Sequence, residues 1–390
     1  MHVFQVKRRN RSAVRRYCRW MPDQVRHGEW VLFSRRVHQP AAGKKGLRIK
    51  PALRTGLLIG LGLLAPLAGT AMAGEGLRPP PCPIIDIHEH ILSRKQAGRY
   101  LLAVKKHNLS SIGLLASPRE VLFTVDEKKA RFTNAGWNNN ELLHISKAKP
   151  GLYQAFATYS PEDHRIVAKL KRFIEKGGRG LKLYNGHYRF YDIFNIPLDA
   201  PHLMPVYQYC EANRVPITFH VNSRYYWVEL KHILDSFPKL VVNLPHFCMS
   251  LVNLDRIAEI FNNYPNVYSD ISCGEGALAY ETLHYISRYW ALYRELIVTY
   301  RTRFLFGADM VITDDPKKDA VYVEKVIANY RHLLESDQYT GILIEGYLEK
   351  MDIKKSPENS IFNGLQLDRE TLKLIYADNP ARFLGINRRP

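Results

Sequence analysis

Two histidines in this sequence are spaced for joint metal binding. His88 and His90 stand two positions apart at the end of an apolar run that begins at Pro83. Residues i and i+2 of a β-strand point to the same face, so both imidazoles can reach one ion. A single histidine at a strand end is usually an ordinary polar residue, but this pair favours a metal site.

Three further residues of the ligand type follow other predicted strands. His220 ends a fifth strand, His246 ends a sixth, and Asp309 lies just past an eighth. Three histidines and a carboxylate suit zinc, with manganese as the alternative, and leave one coordination position for water. Such an ion lowers the pKa of water from about 15.7 to about 7. We therefore expect His88, His90, His220 and Asp309 to bind one divalent metal, while His246 and Asp309 serve catalysis.

Two basic residues are candidate substrate contacts. Lys182 lies on the predicted fourth strand, and Arg224 follows His220 by four positions. Lys182 can contact substrate, pair with a buried carboxylate or, once carboxylated, bridge a second metal, and the first two roles are favoured. Arg224 can clamp a substrate carboxylate through two hydrogen bonds or be a surface arginine. Supporting roles behind the ligands are expected for Asp86, Asp270, Ser272 and Cys273.

These residues need a scaffold that brings distant strand ends together. From residue 83 onward, short apolar runs alternate with longer amphipathic runs, which indicates βαβ units and parallel strands. Eight strands are predicted, at Pro83–His88, Ser111–Ala116, Leu152–Thr158, Gly180–Tyr184, Val215–His220, Leu240–Pro245, Asn266–Ile271 and Arg303–Gly307.

Eight such units predict a (β/α)8 TIM barrel, in which the carboxyl ends of the strands line the active site. The longest predicted helix spans residues 278–300, and a C-terminal helical extension begins near residue 336 with a helix at 368–376. An open doubly wound sheet is the alternative. No G-x-G-x-x-G segment follows a predicted strand, so the sequence does not favour dinucleotide binding.

The first 73 residues differ in composition from the rest. Residues 1–50 carry 14 Lys and Arg against 2 Asp and Glu, a net of +12 out of +19 for the whole chain. Residues 51–73 lead through an apolar stretch to Ala71-Met72-Ala73, the pattern of a secretory signal peptide. We predict a basic extension at 1–50, a signal segment at 51–73, and a barrel at 83–390. The protein is then exported, with membrane anchoring as the alternative. A start codon assigned too far upstream is the preferred explanation of the basic extension, and a basic arm that binds nucleic acid or anionic lipid is the alternative.

Several segments of the chain resemble the amidohydrolase superfamily, in the branch that includes aminocarboxymuconate-semialdehyde decarboxylase. The matching segments occupy residues 85–90, 180–184, 217–220, 243–246, 306–309 and 379–385. In that family the paired strand-one histidines, the strand-five histidine and the strand-eight aspartate bind the metal, which implies the ligand set given above. The resemblance also implies that His246 polarises substrate or moves a proton. One departure is Phe247-Cys248-Met249 after His246, which predicts a bulkier rim.

The predicted function is metal-dependent hydrolysis of an ester, lactone or amide bond in a small substrate, with anionic substrates among the candidates. The alternative within enzymes is non-oxidative decarboxylation of an aromatic or dienoic acid. The alternative from another class is an exported ligand-binding barrel without activity. Basic and aromatic residues do not interleave along the barrel, which argues against nucleic-acid binding. The expected partner is a small molecule, without stable membrane contact after signal cleavage, and a homodimer is the oligomer considered.

Overall fold

Strands and helices alternate along the residues that the computed structural model describes, which are 77–122, 132–274, 276–341 and 361–386. The strands are β1 Ile84–Ile91, β2 Leu109–Leu115, β3 Tyr153–Thr158, β4 Gly180–Gly186, β5 Ile217–Val221, β6 Val242–Asn243, β7 Val267–Asp270, β8 Phe304–Leu305, β9 Met310–Ile312, β10 Gln338–Thr340 and β11 Ile361–Asn363. The α-helices are α1 Leu101–His107, α2 Arg119–Leu122, α3 Ala135–Ala148, α4 Ile166–Glu175, α5 Tyr188–Phe194, α6 Met204–Ala212, α7 Trp227–Ser236, α8 Leu254–Asn263, α9 Gly276–Arg288, α10 Trp290–Thr299, α11 Ala320–Glu335, α12 Arg369–Lys373 and α13 Asn379–Leu384. A 3-10 helix spans Arg94–Tyr100, and a π-helical turn spans Leu374–Asp378.

The parallel strands form one sheet that closes on itself. Their order is β8-β7-β6-β5-β4-β3-β2-β1-β9, so β8 and β9 stand at opposite ends of the order. Only residues 306–309 separate these two strands in the chain. Ile87 N donates to Phe306 O at 3.0 Å, and Glu89 pairs with Met310 in the β1–β9 ladder. The eighth strand is therefore split into β8 and β9, and the sheet closes as the predicted TIM barrel.

Amphipathic helices cover the outside of the barrel. In α4 the buried residues Ile166, Leu170 and Phe173 recur every three or four positions, whereas Lys171 and Arg172 are exposed. This spacing puts the apolar residues on one helix face, which packs against the sheet. The longer helix α11 is capped by Asp319, whose carboxylate accepts hydrogen bonds from the first-turn backbone N–H groups.

The C-terminal helix contributes to the core inside the barrel. Phe383 of α13 stacks on Phe156 of β3 with ring centroids 6.3 Å apart, and it also contacts Tyr268 of β7. These rings belong to a buried cluster that includes residues of β1, β2 and β8. The C-terminal segment is thus part of the barrel's packing, and the predicted extension is integral to the fold.

Several predicted boundaries are corrected by the structure. β1 extends three residues past His88, to Ile91, whereas β6 contains only Val242 and Asn243 and is shorter than predicted. The predicted helix at 278–300 is two helices, α9 and α10. The helix predicted at 368–376 begins at Arg369 and turns into the π-helical segment after Lys373.

Some predictions lie outside the described residues. The basic extension at 1–50 and the signal segment at 51–73 both belong to this part of the chain. Among the described residues, no helix combines the length and apolar character needed to cross a membrane. Cys210, Cys248 and Cys273 are buried free thiols, and Cys82 is half-buried.

Candidate metal centre and catalytic groups

The first strand carries two histidines of the candidate site. β1 is buried along its whole length, and 0% of His88 and 3% of His90 is exposed. Gly307 lies against this strand, because a Cβ atom at 307 would come within 2.8 Å of the Cβ atom of His88. The lack of a side chain there lets the segment before Asp309 run close beside β1.

Three side-chain atoms converge at the carboxyl end of β1. Nε2 of His88 lies 3.2 Å from Nε2 of His90, and Oδ1 of Asp309 lies 3.1 Å from each of these nitrogens. The backbone N–H of Asp309 also donates to the carbonyl oxygen of His88 at 2.7 Å. The structure therefore brings together three of the four predicted ligands.

Hydrogen bonds at the other ring nitrogens fix the tautomers of both histidines. Nδ1 of His88 donates to Oδ2 of Asp270 at 2.8 Å, and Nδ1 of His90 donates to the carbonyl oxygen of Leu115 at 2.9 Å. Because each Nδ1 carries the proton, each Nε2 keeps a lone pair directed toward Asp309. Two imidazole lone pairs and one carboxylate oxygen at this spacing fit a divalent ion of the zinc type.

Burial sets the protonation states of these groups. It lowers the pKa of His90 to about 4 and holds the pKa of His220 well below its usual range. Burial by itself would raise the pKa of Asp309, but His88 and His90 hold it well below its usual range. Burial opposes a positive charge on His88, but Asp309 and Asp270 raise its pKa overall. Neutral imidazoles and an ionised carboxylate are the forms that bind a metal ion, so an ion at this site would displace that proton.

Two acidic residues of β1 lie buried beside the ligands. Oδ1 of Asp86 accepts from the backbone N–H of His88 at 3.0 Å, and Tyr100 donates to Oε2 of Glu89 at 2.9 Å. Burial raises the pKa of Asp86 to about 7, and burial together with Asp86 raises the pKa of Glu89 well above its usual range. Both carboxyl groups therefore favour their protonated forms more strongly than an exposed carboxyl group does.

His246 begins a left-handed turn. Residues 246–249 have φ angles of 58°, 54°, 57° and 50°, although none of them is glycine. Each such residue costs roughly 1–2 kcal/mol. Hydrogen bonds from other elements hold the turn, because His246 N donates to Oδ1 of Asp270 at 3.1 Å and Cys248 N donates to Oγ of Ser269 at 2.9 Å.

The turn directs the His246 imidazole into the site. Nε2 of His246 lies 3.7 Å from Oδ2 of Asp309, and one candidate ligand atom from each of His246, Asp309 and His88 lies within 4.8 Å of the others. The next residue points away, since Phe247 is fully buried against Tyr293 and Phe304. Phe247 therefore does not form the bulkier rim that the sequence predicts.

The fourth predicted ligand, His220, lies beside the rings of His246 and His187. The ring centroid of His220 is 5.1 Å from that of His246 and 4.6 Å from that of His187. His220 therefore belongs to the same histidine group at the end of β5, and its role as a ligand stays a prediction. His187 follows β4 directly and was not among the predicted site residues.

The two predicted substrate contacts occupy different environments. Lys182 is fully buried on β4, with Nζ 3.3 Å from Nε2 of His88 and 4.9 Å from the ring centroid of Tyr184. Burial lowers the pKa of Lys182 to about 8. Arg224 is exposed, and its guanidinium lies over the ring of Tyr225. The structure thus places Lys182 in the site, whereas the contact of Arg224 with substrate stays a prediction.

Two further residues of the candidate site, Ser117 and Asn243, were not predicted from the sequence. Ser117 lies just past β2 with Oγ 2.8 Å from Nδ1 of His90. Asn243 ends β6 and donates to Oδ2 of Asp270 at 2.8 Å. Both positions are at carboxyl ends of strands, so the same rule that selected the histidines could have selected them.

Comparison with known protein families gives a match over most of the chain. A family model described as amidohydrolase matches residues 85–386. Among curated proteins, no match to this chain was found.

Several solved structures are similar to this chain. An uncharacterized TIM-barrel protein from Bordetella bronchiseptica aligns with a TM-score of 0.48 and 14% identity, over 78% of this chain and 99% of that one. A probable 2-pyrone-4,6-dicarboxylic acid hydrolase from Acinetobacter baumannii aligns with a TM-score of 0.48 and 13% identity, over 78% and 100%. The 5-carboxyvanillate decarboxylase of Sphingomonas paucimobilis aligns with a TM-score of 0.45 and 13% identity, over 78% and 99%.

Proposed function

Because this chain belongs to the amidohydrolase family, we propose that it is a metal-dependent hydrolase acting on an ester, lactone or amide bond of a small anionic substrate. One observation carries the proposal. The Nε2 atom of His246 faces the carboxylate of Asp309, beside the paired Nε2 atoms of His88 and His90. A metal-binding set with a separate base next to it is the arrangement that hydrolysis requires.

The chain's own groups divide the work in this proposal. His88, His90, His220 and Asp309 would hold a divalent ion, for which we propose zinc, and the ion would supply Lewis-acid activation of water. Asp309 faces the two β1 histidines through Oδ1, while its Oδ2 lies 3.7 Å from Nε2 of His246. A proton taken up at Oδ2 can therefore pass to His246. Burial lowers the pKa of His246, so that its Nε2 is free to accept that proton at neutral pH.

A buried cation supports an anionic substrate. Lys182 has no exposed surface and lies next to His88, so its charge is poorly solvated. An acidic group of the substrate would pair with this ammonium at the metal-facing end of β4. An acid is also what a decarboxylase would bind, so the reaction has to be identified by its products.

The products distinguish the candidate reactions. The purified zinc-loaded protein is incubated with a panel of small carboxylic acids that carry an ester, lactone or amide bond, and with aromatic and dienoic acids, in isotopically labelled water. Hydrolysis incorporates one labelled oxygen into the acid product. Release of carbon dioxide without label incorporation contradicts the proposal and identifies a decarboxylase.

The metal requirement is measured separately. Elemental analysis of the purified protein, followed by removal and restoration of zinc or manganese, tests whether the site retains an ion. A protein that neither retains nor regains any metal would be a binding barrel without metal chemistry, and the proposal would fail.

We also propose that the protein is exported, because residues 51–73 have the pattern of a signal peptide. N-terminal sequencing of the natural protein tests this. A sequence that begins at Gly74 supports export with cleavage, whereas one that begins before Thr55 contradicts it.

A further inference from the structure

A single carboxylate lies between the metal-binding and the proton-transfer parts of the site. Asp270 ends β7 and is fully buried. Its Oδ2 accepts from Nδ1 of His88 and from Nδ2 of Asn243, both at 2.8 Å. Its Oδ1 accepts from the backbone N–H groups of His246, at 3.1 Å, and Ser272, at 3.2 Å. One oxygen therefore contacts a predicted ligand, and the other contacts the turn that carries the predicted base.

A hydroxyl extends the second of these contacts to the His246 ring. Oγ of Ser272 lies 2.5 Å from Oδ1 of Asp270 and 2.8 Å from Nδ1 of His246. The ionised carboxylate can only accept, so the Ser272 hydroxyl donates its one hydrogen to Asp270. The hydroxyl oxygen then accepts the hydrogen on Nδ1 of His246, and the backbone carbonyl oxygen of Ser272, 3.3 Å from Nδ1, is a longer second acceptor. This leaves the lone pair of His246 on Nε2, the atom that faces Asp309.

The same logic applies to His88. Its Nδ1 donates to Oδ2 of Asp270, which leaves the Nε2 lone pair directed at His90 and Asp309. Both imidazoles are thus held in the same tautomer by one group, directly for His88 and through Ser272 for His246. Removal of Asp270 alters both rings, whereas removal of the Ser272 hydroxyl alters only one.

We propose that Asp270 is a positioning residue that couples the metal affinity of His88 to the basicity of His246, with Ser272 as the separable link to His246. The metal half rests on the site geometry alone. The half that concerns turnover rests on the proposed function, so the experiment measures metal affinity and the His246 tautomer independently of activity.

The test compares Asp270→Asn, Ser272→Ala and Ser272→Thr with the unchanged protein. Zinc affinity is measured by competition with a chromophoric chelator. Asp270→Asn should weaken zinc binding by about 10- to 100-fold, the usual effect of losing a partner that orients a ligand. Ser272→Ala should leave zinc affinity within about threefold, because the contact between Asp270 and His88 persists. Equal weakening of zinc binding in both variants would overturn the separable link.

The tautomer of His246 provides the second readout. Nitrogen-15 spectra of the zinc-loaded protein, with histidines labelled, should show protonated Nδ1 at His246 in the unchanged protein and in Ser272→Thr. Ser272→Ala keeps only the longer contact of Nδ1 with the backbone carbonyl oxygen of residue 272, so the fraction of His246 with protonated Nδ1 should fall. On any substrate that is turned over, kcat should fall by roughly 10- to 100-fold with KM unchanged. An unchanged fraction of protonated Nδ1 in Ser272→Ala would contradict the relay.

A matched control separates positioning from packing. Ser111 is also a buried serine, but it lies near the start of β2, where its hydroxyl donates to the Gly151 carbonyl oxygen. Ser111→Ala should change neither zinc affinity nor the His246 signature. If no substrate is turned over by the unchanged protein, the proposed function fails, while zinc affinity and the tautomer still decide the role of Asp270.

Discussion

Nζ of Lys182 lies 3.3 Å from Nε2 of His88. A divalent ion bound to that nitrogen would therefore sit close to a buried amine. For an ammonium about 4 Å from a doubly charged ion, repulsion amounts to several kcal/mol even at an effective dielectric constant near 20. The positive charge of Lys182 must accordingly weaken metal binding unless an anion lies between the two.

Replacing Lys182 by methionine removes this charge and keeps the length of the side chain. Lys182→Met should bind zinc at least about tenfold more tightly at pH 7, because the repulsion is gone. The same variant should lose the stabilisation that a carboxylate such as benzoate gives to the zinc-loaded protein, measured as a shift in Tm. Unchanged zinc affinity would show that Lys182 is already neutral or displaced when metal binds.

His88 and His246 should respond differently to truncation. His88→Ala removes one of the three converging ligand atoms, so metal and activity should be lost together. His246→Ala should retain the metal and lose turnover by at least about 100-fold, because it removes the base and leaves the triad of His88, His90 and Asp309 intact. Metal content by elemental analysis and kcat are measured on the same samples. Loss of metal from His246→Ala would instead identify His246 as a ligand.

The raised pKa of Asp86 predicts a pH-dependent stability. Its folded-state pKa of about 7 exceeds the usual aspartate value of 3.8. The stability that this group contributes is therefore fully present below the unfolded-state pKa and is lost as the pH rises through about 7. At one pKa unit per 1.36 kcal/mol, the change amounts to roughly 4 kcal/mol at most.

The variant Asp86→Asn should reduce this loss, because asparagine has no proton to release and can still accept from His88 N. The measurement is chemical denaturation of the metal-free protein between pH 5 and pH 8, with a chelator present. Parallel pH profiles for Asp86→Asn and the unchanged protein would rule out Asp86 as the source of the pH dependence.

The left-handed turn predicts that glycine is more stable than alanine at position 249. Alanine is normally the more stable residue in a helix, by roughly 0.5–1 kcal/mol over glycine. At φ 50° the order should reverse, so Met249→Gly should be more stable than Met249→Ala by about 1 kcal/mol. Both variants lose the same side chain beyond Cβ, which removes packing from the comparison. The exposed α4 residue Lys171 provides the control pair, where alanine should be favoured.

The barrel and the positions of its candidate ligands follow from the sequence, because strand ends can be recognised from apolar runs. His88, His90 and Asp309 all lie where those runs stop. The split of the eighth strand was not predictable, since residues 306–309 leave the ladder to pass beside His88, and this depends on Gly307. These are tertiary effects that no local pattern records.

The turn at residues 246–249 shows the same limit more strongly. It contains no glycine or asparagine to signal positive φ, so sequence rules predict neither the turn nor the direction of Phe247. Its conformation is maintained by distant groups, including the Ser223 hydroxyl, which donates to the Cys248 carbonyl oxygen at 2.7 Å. The exposure of the Arg224 side chain could not be predicted for a related reason, because the exposure of a loop residue depends on the neighbouring loops.

The closure of the barrel has a consequence for how the protein folds. The contacts of β1 with residues 306–312 join segments at opposite ends of the barrel sequence, and such long-range pairings form late because chain entropy opposes them. His88 and His90 lie on β1, whereas Asp309 lies in the segment between β8 and β9, so the donor atoms come from both of the segments that must meet. The proposed metal-binding set can therefore form only once the first and last strands have met. An ion bound by residues of both segments would link the first strand to the last one, and its binding energy would add directly to the stability of the closed barrel.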